Sequence, residues 1–85
     1  MKASVFDTYV PRKEGGVMHF DIVVPVNTTF EDVQKFGLLY LTEKKQGSQP
    51  LTTKECRFCH IGTATDAMKQ DIVQKGYHII EIDGC

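Results

Sequence analysis

No stretch of this 85-residue chain approaches the roughly 18 to 20 consecutive apolar residues that a membrane-spanning helix needs, so no membrane partner is expected. A basic excess is lacking too: 10 lysines and arginines meet 11 aspartates and glutamates, for a formal net charge of −1. That balance leaves out the basic face with which nucleic-acid binders hold phosphates, and nucleic acid is not an expected partner. Internal repeats, low-complexity tracts and linkers are missing, which with the length implies a single domain over residues 1–85. Gly15-Gly16 follows no strand-to-helix turn, so it is no phosphate loop, and Ser4 and Ser48 lack the sharp turn of a serine nucleophile. No secretory leader is visible, because Asp7 interrupts Ala3-Ser4-Val5-Phe6 before an apolar segment builds up. The expected compartment is therefore the cytoplasm, where the three cysteines are thiols or metal ligands rather than a disulfide framework. There Asn27-Thr28-Thr29, a glycosylation acceptor by form, has no consequence.

What is present is an ordinary globular composition, 41% apolar and 25% charged. A chain this small buries only roughly 60–65% of the surface its unfolded form exposes, so each core residue weighs heavily. Residues 2–10, KASVFDTYV, read as a strand, Pro11 to Gly16 as a connection, and residues 17–24, VMHFDIVV, as a second strand. Alternation puts Met18, Phe20, Ile22 and Val24 on one face and His19, Asp21 and Val23 on the other. The short Gly-containing connection predicts an antiparallel hairpin.

Thr28, with Glu31 three residues on, has the form of a capping box opening a helix through about residue 44. Phe30, Val33, Phe36, Gly37, Tyr40 and Leu41 form its buried stripe, which Leu38 and Leu39 broaden; Lys44 and Lys45 suit its C-terminus. Gln46-Gly47-Ser48-Gln49-Pro50 reads as a loop. Thr63 or Thr65 caps a second helix with Ala64, Met68, Ile72 and Val73 inward and Gly76 as its stop, and residues 77–82, YHIIEI, form the last strand. The expected fold is α+β and two-layer: a mixed four-stranded sheet with two helices, order β-β-α-β-α-β. Its final strand–helix–strand unit is expected to be parallel and right-handed.

The segment CRFCH, residues 56–60, carries the strongest motif. Its spacing is that of c-type haem attachment, of many zinc sites and of dithiol redox centres. Haem conflicts with a cytoplasmic setting and with a core already spent on sheet and helices. A thioredoxin-like dithiol needs the N-terminus of the following helix, which begins about a turn too late. A zinc site needs four ligands; Cys56, Cys59 and His60 supply three, with Cys85, His19 or His78 to complete the set. If residues 54–61 run as a regular strand, Cys56, Phe58 and His60 point one way and Arg57, Cys59 and Ile61 the other, separating the thiols. If instead Thr52 caps a helical turn with Glu55, then Cys56, Cys59 and His60 share a face. The strand is preferred, and the thiols then pack as small hydrophobes.

A second group, Asp7, His19 and Asp21, gathers on the outer face of the hairpin. Two carboxylates and an imidazole suit either a metal or acid–base chemistry, and equally a solvated polar face. Tyr9, Tyr40 and Tyr77 read as core or edge aromatics.

The blocks VFDTYV, MHFDIVVP, LTTKECRFCHIG and GYHIIEIDGC, in this order and across nearly the whole chain, resemble the DUF2024 family, small bacterial proteins described as a domain of unknown function. The resemblance implies a compact two-layer α+β fold with a mixed four-stranded sheet, and brings no activity, cofactor or catalytic residue with it. The functional expectation is an interaction or ligand-binding module, leaning away from an enzyme, with a protein or a second copy of the chain as partner and no cofactor. The alternative is a zinc-binding or thiol-redox protein using Cys56, Cys59, His60 and Cys85.

Overall fold

Strands β1 (Lys2–Pro11) and β2 (Val17–Pro25) form the centre of the sheet in the computed structural model, which describes residues 1–48 and 50–85. Met18, Phe20, Ile22 and Val24 are buried on one face of β2, as their alternation predicts, and Phe6, Thr8 and Val10 of β1 lie beside them. Ala3, Val5 and Val23 are buried on the opposite face. A strand pair with apolar residues on both faces belongs in the middle of a sheet. The connecting turn is closed by the Arg12 amide donating to the Gly16 carbonyl at 2.9 Å, with Gly15 and Gly16 both at positive φ.

Helix α1 (Phe30–Glu43) covers the first face. Its cap is Thr29, one residue later than expected, with Oγ1 accepting from the Asp32 amide. The Thr28 amide is already engaged by the Pro25 carbonyl in a turn, which delays the helix by one residue. Val33, Gly37, Tyr40 and Leu41 face the sheet, whereas Leu38 and Leu39, expected to broaden the stripe, are exposed. At 100° per residue they fall off the side that a single sheet can reach. Gly37 leaves room for Leu51, which folds back beneath the helix; Gln34 Nε2 secures it by donating to the Leu51 carbonyl at 2.9 Å. The expected loop at 46–50 flanks Gln49, which lies outside the described residues.

Strand β3 (Cys56–Thr63), helix α2 (Asp66–Lys75) and strand β4 (His78–Asp83) complete the chain. The α+β class, the four strands, the two helices and their order are as expected. The sheet is mixed in its sequence arrangement, β3-β1-β2-β4, but each neighbouring pair is antiparallel. The expected parallel β3-α2-β4 unit does not form: β3 and β4 occupy opposite edges and, through the three antiparallel pairings, run in opposite directions. Three strand spacings of about 4.8 Å separate those edges, and a ten-residue helix is about 15 Å long, so α2 is just able to span them. It does so on the face opposite α1, packing Ala64, Met68 and Ile72 over Ala3, Val5 and Val23. The two-layer expectation thus describes the α1 side, and α2 adds a partial third layer over one end of the other face. Val73, expected inward, is 84% exposed because α2 rests on the sheet by a narrow stripe. Among the described residues no helix is long and apolar enough to cross a membrane.

Thr65 caps α2 and Gly76 ends it at φ 94°. That left-handed turn carries the chain to the other side of the sheet, where Tyr77 is buried and stacks on Phe36 at 4.8 Å. A Cβ at Gly76 would lie 2.9 Å from Phe36 Cζ in a backbone conformation L-residues avoid. Gly76→Ala should therefore lower stability by about 1–2 kcal/mol in urea unfolding; an unchanged midpoint would show that this turn is not what returns the chain to the α1 face.

Candidate functional site

Register in β1 and β2 is dictated by the apolar face, and it leaves a consequence on the other. Asp7 pairs directly with Asp21 across the two central strands, and Tyr9 pairs with His19 one row further on. Like charges directly opposite in a sheet are destabilising. The row continues outward, with Arg57 of β3 beside Asp7 and Ile80 of β4 beside Asp21. Since α2 covers only the end of this face nearest Ala3 and Val23, the Asp7 and His19 end stays open.

The trio anticipated from the hairpin is brought together. Asp7, His19 and Asp21 each present a ligand atom within 4.8 Å of the others, and this is the one such group of three among the described residues. The His19 imidazole donates from Nε2 to Asp7 Oδ1 at 2.6 Å. Its ring stacks on Tyr9 with centroids 4.0 Å apart and planes 12° apart, which fixes its orientation. Asp21 is pushed up to about 6, first by desolvation and then by the Asp7 carboxyl, against smaller opposing effects of His19 and His60. Two carboxylates held together in a half-buried position favour a bound proton or a bound cation.

Two recesses flank the trio. On the β3 side a groove of about 260 Å³ is lined by Asp7, Tyr9, Lys54, Glu55 and Arg57. On the other, beneath the start of α2, a cavity of about 130 Å³ has an apolar wall including Val5, Val23, Met68 and Ile80, with Asp21, His60 and Thr63 as its polar residues. The cavity and His60's place in it were not anticipated. The one sequence signal was Gly62, since a glycine inside a strand marks space or a close approach. Here it leaves open room beside the His60 ring, 3.7 Å from where a Cβ would stand.

The CRFCH set is not brought together. Residues 56–60 do begin a strand, but a bulge interrupts its alternation: Phe6 pairs with Phe58 and Val5 with His60, so Cys59 has no partner. Cys56 and Phe58 consequently face α1, while His60 turns to the opposite face with Asp21, rather than joining them as regular alternation predicts. The alternative turn is also real, but earlier. Thr52 Oγ1 and the Thr52 amide both donate to Glu55 Oε1 at 2.7 Å, and the turn closes at Cys56, whose amide donates to the Thr52 carbonyl at 2.9 Å, so it does not extend to Cys59 or His60. Cys56 is fully buried in the core beside Thr8, and burial raises its thiol above the usual range. Cys59 is exposed. Cys85 follows the opposite edge strand, its Sγ donating to the His19 carbonyl at 3.4 Å. With β3 and β4 roughly 14 Å apart, Cys85 and the CRFCH residues share no metal position. His78, another suggested fourth ligand, instead pairs with Asp71 at 2.6 Å.

A family model described as a domain of unknown function, DUF2024, matches residues 1–82. Among solved structures, the NMR structure of protein NE1680 from Nitrosomonas europaea is 38% identical, with 100% of this chain and 99% of that chain covered and a TM-score of 0.85. No curated protein matches the chain.

Asp21 gives the site a signature in stability. An acid whose folded pKa exceeds its ordinary value of 3.8 holds its proton more tightly when folded, so stability falls as pH rises from about 4 through about 6. Asp21→Asn, which cannot ionise, should melt like the wild type near pH 4 and higher at pH 8, on the order of 5 °C after allowing for solvent screening. A difference in melting temperature that is constant from pH 4 to pH 8 would show that this carboxyl is not destabilised by folding.

Proposed function

The chain belongs to the DUF2024 family, and we propose that it is a ligand-binding module that holds a divalent cation on Asp7, His19 and Asp21. The observation that carries this reading is the convergence of two carboxylates and an imidazole on the central strands of the sheet. Such a pair raises its own free energy when ionised, and a divalent cation between the carboxylates removes that repulsion. The donor set, two carboxylate oxygens and one nitrogen, suits borderline or hard metals such as zinc or manganese rather than those that prefer thiolates. Stacking on Tyr9 orients the imidazole before any ligand arrives, which reduces the entropy lost on binding.

The metal alternative thereby passes from the thiols to the carboxylates, and binding takes precedence over catalysis as the activity. The proposed setting is the cytoplasm. Three free cysteines, one of them buried beside a threonine, accord with a reducing compartment.

Calorimetric titration with zinc chloride at pH 7.5 should give one site per chain. Asp21→Asn should weaken binding roughly tenfold or more, whereas Cys59→Ser leaves it unchanged. Proton release on binding should grow as the pH falls toward 6, because the cation displaces the proton held between the carboxylates. Absence of heat with both zinc and manganese would overturn the reading, and loss of binding in Cys59→Ser would return the site to the CRFCH segment.

A further inference from the structure

The cavity beneath α2 is joined to the candidate cation site by a shared residue. Asp21 lines the cavity and is also one of the three clustered ligands. Most of the remaining wall is apolar, from Val5 and Val23 of the sheet, Met68 of α2 and Ile80 of β4. His60 is its other titratable group. With Thr63 as the one further polar residue of the wall, the lining suits a small hydrocarbon body carrying its polar end toward Asp21 and His60.

We propose that this cavity receives the tail of a short aliphatic carboxylate, whose head group completes the coordination of a cation on Asp7, His19 and Asp21. The inference rests on the cation reading above and names its organic ligand. Size sets the tail: an apolar cavity of about 150 Å³ accommodates benzene, so about 130 Å³ holds roughly five carbons. Electrostatics set the head. With no cation, Asp7 and Asp21 repel a carboxylate; with a divalent cation neutralising both, the remaining coordination positions accept one. Binding is therefore ordered, cation first. His60 has the role of donor to the second carboxylate oxygen, a positioning residue at the cavity mouth. Gly62 is what admits the ligand, because no side chain stands there beside the imidazole.

Methyl and amide NMR titrations separate this inference from the reading it rests on. Zinc chloride alone should shift residues around Asp7, His19 and Asp21 in the first arm. In the second, sodium acetate, pentanoate and decanoate are added to the zinc-saturated protein. Pentanoate should shift the Val5, Val23, Met68 and Ile80 methyls. Each buried methylene contributes about fourfold in affinity, so pentanoate should bind on the order of fiftyfold more tightly than acetate. Decanoate, too long for the cavity, should gain nothing further. Without zinc, pentanoate should produce no shifts at these methyls. Gly62→Val should retain zinc binding and lose the preference for pentanoate over acetate. Zinc binding with equal affinity for acetate and pentanoate would overturn the carboxylate inference and leave the cation site standing. Lack of zinc binding would overturn both, and so would separate the two failures. Pentanoate binding equally well without zinc would refute the ordered mechanism, and pentylamine binding to the metal-free protein would show that the head group had been assigned the wrong charge.

Discussion

The register of the central β1–β2 pair is the constraint on which the rest depends. Met18, Phe20, Ile22 and Val24 must all face α1, and a slip of one residue would expose the whole set. In a small domain that loss exceeds any cross-strand repulsion on the other face, where each pair contributes only about 0.2–1 kcal/mol. The core therefore imposes Asp7 opposite Asp21. A destabilising contact is held in place by the strongest apolar packing in the molecule.

Partial coverage by α2 turns that contact into a site. Were the helix to cover the entire face, the two carboxylates would need full desolvation; with no helix at all, Val5 and Val23 would be exposed. Crossing at one end leaves a boundary, apolar and roofed on one side and polar and open on the other. Asp21 stands on that boundary, which explains both its elevated pKa and its membership of the cavity wall. The boundary falls where the crossing helix stops along the strands: Ala64, Met68 and Ile72 cover Ala3, Val5 and Val23, and Asp7, Asp21 and His19 lie beyond them.

The cysteine motif shows how a local irregularity redirects chemistry. A bulge at Cys59 moves His60 from the face that Cys56 shares with Phe58 to the face of the carboxylates. Cys56 becomes a core residue, and its burial keeps the thiol protonated and unreactive. His60 finishes beside Asp21, whose ionisation it favours, so the motif contributes to the site through its histidine rather than its thiols.

Much of this architecture was legible along the chain. Alternation in residues 17–24 determined the hairpin and its faces, helical spacing determined both helices, and Gly76 marked the end of the second. The gathering of Asp7, His19 and Asp21 was legible for the same reason: cross-strand neighbours in a tight hairpin follow from period two and turn length alone. Relations between elements distant in sequence were not. Nothing local distinguishes β4 pairing with β3 from β4 pairing with the free edge of β2, because both edges offer the same backbone groups. The exposure of Leu38, Leu39 and Val73 depended on how much of each helix the sheet could reach. The bulge at Cys59 depended on matching β3 to β1. Sequence by itself thus determined the elements, the central register and the carboxylate–histidine trio, all of which are short-range consequences of side-chain periodicity. Tertiary structure alone decided which face α2 covers, where His60 points and that a cavity opens beside Asp21, because those follow from long-range packing and strand pairing.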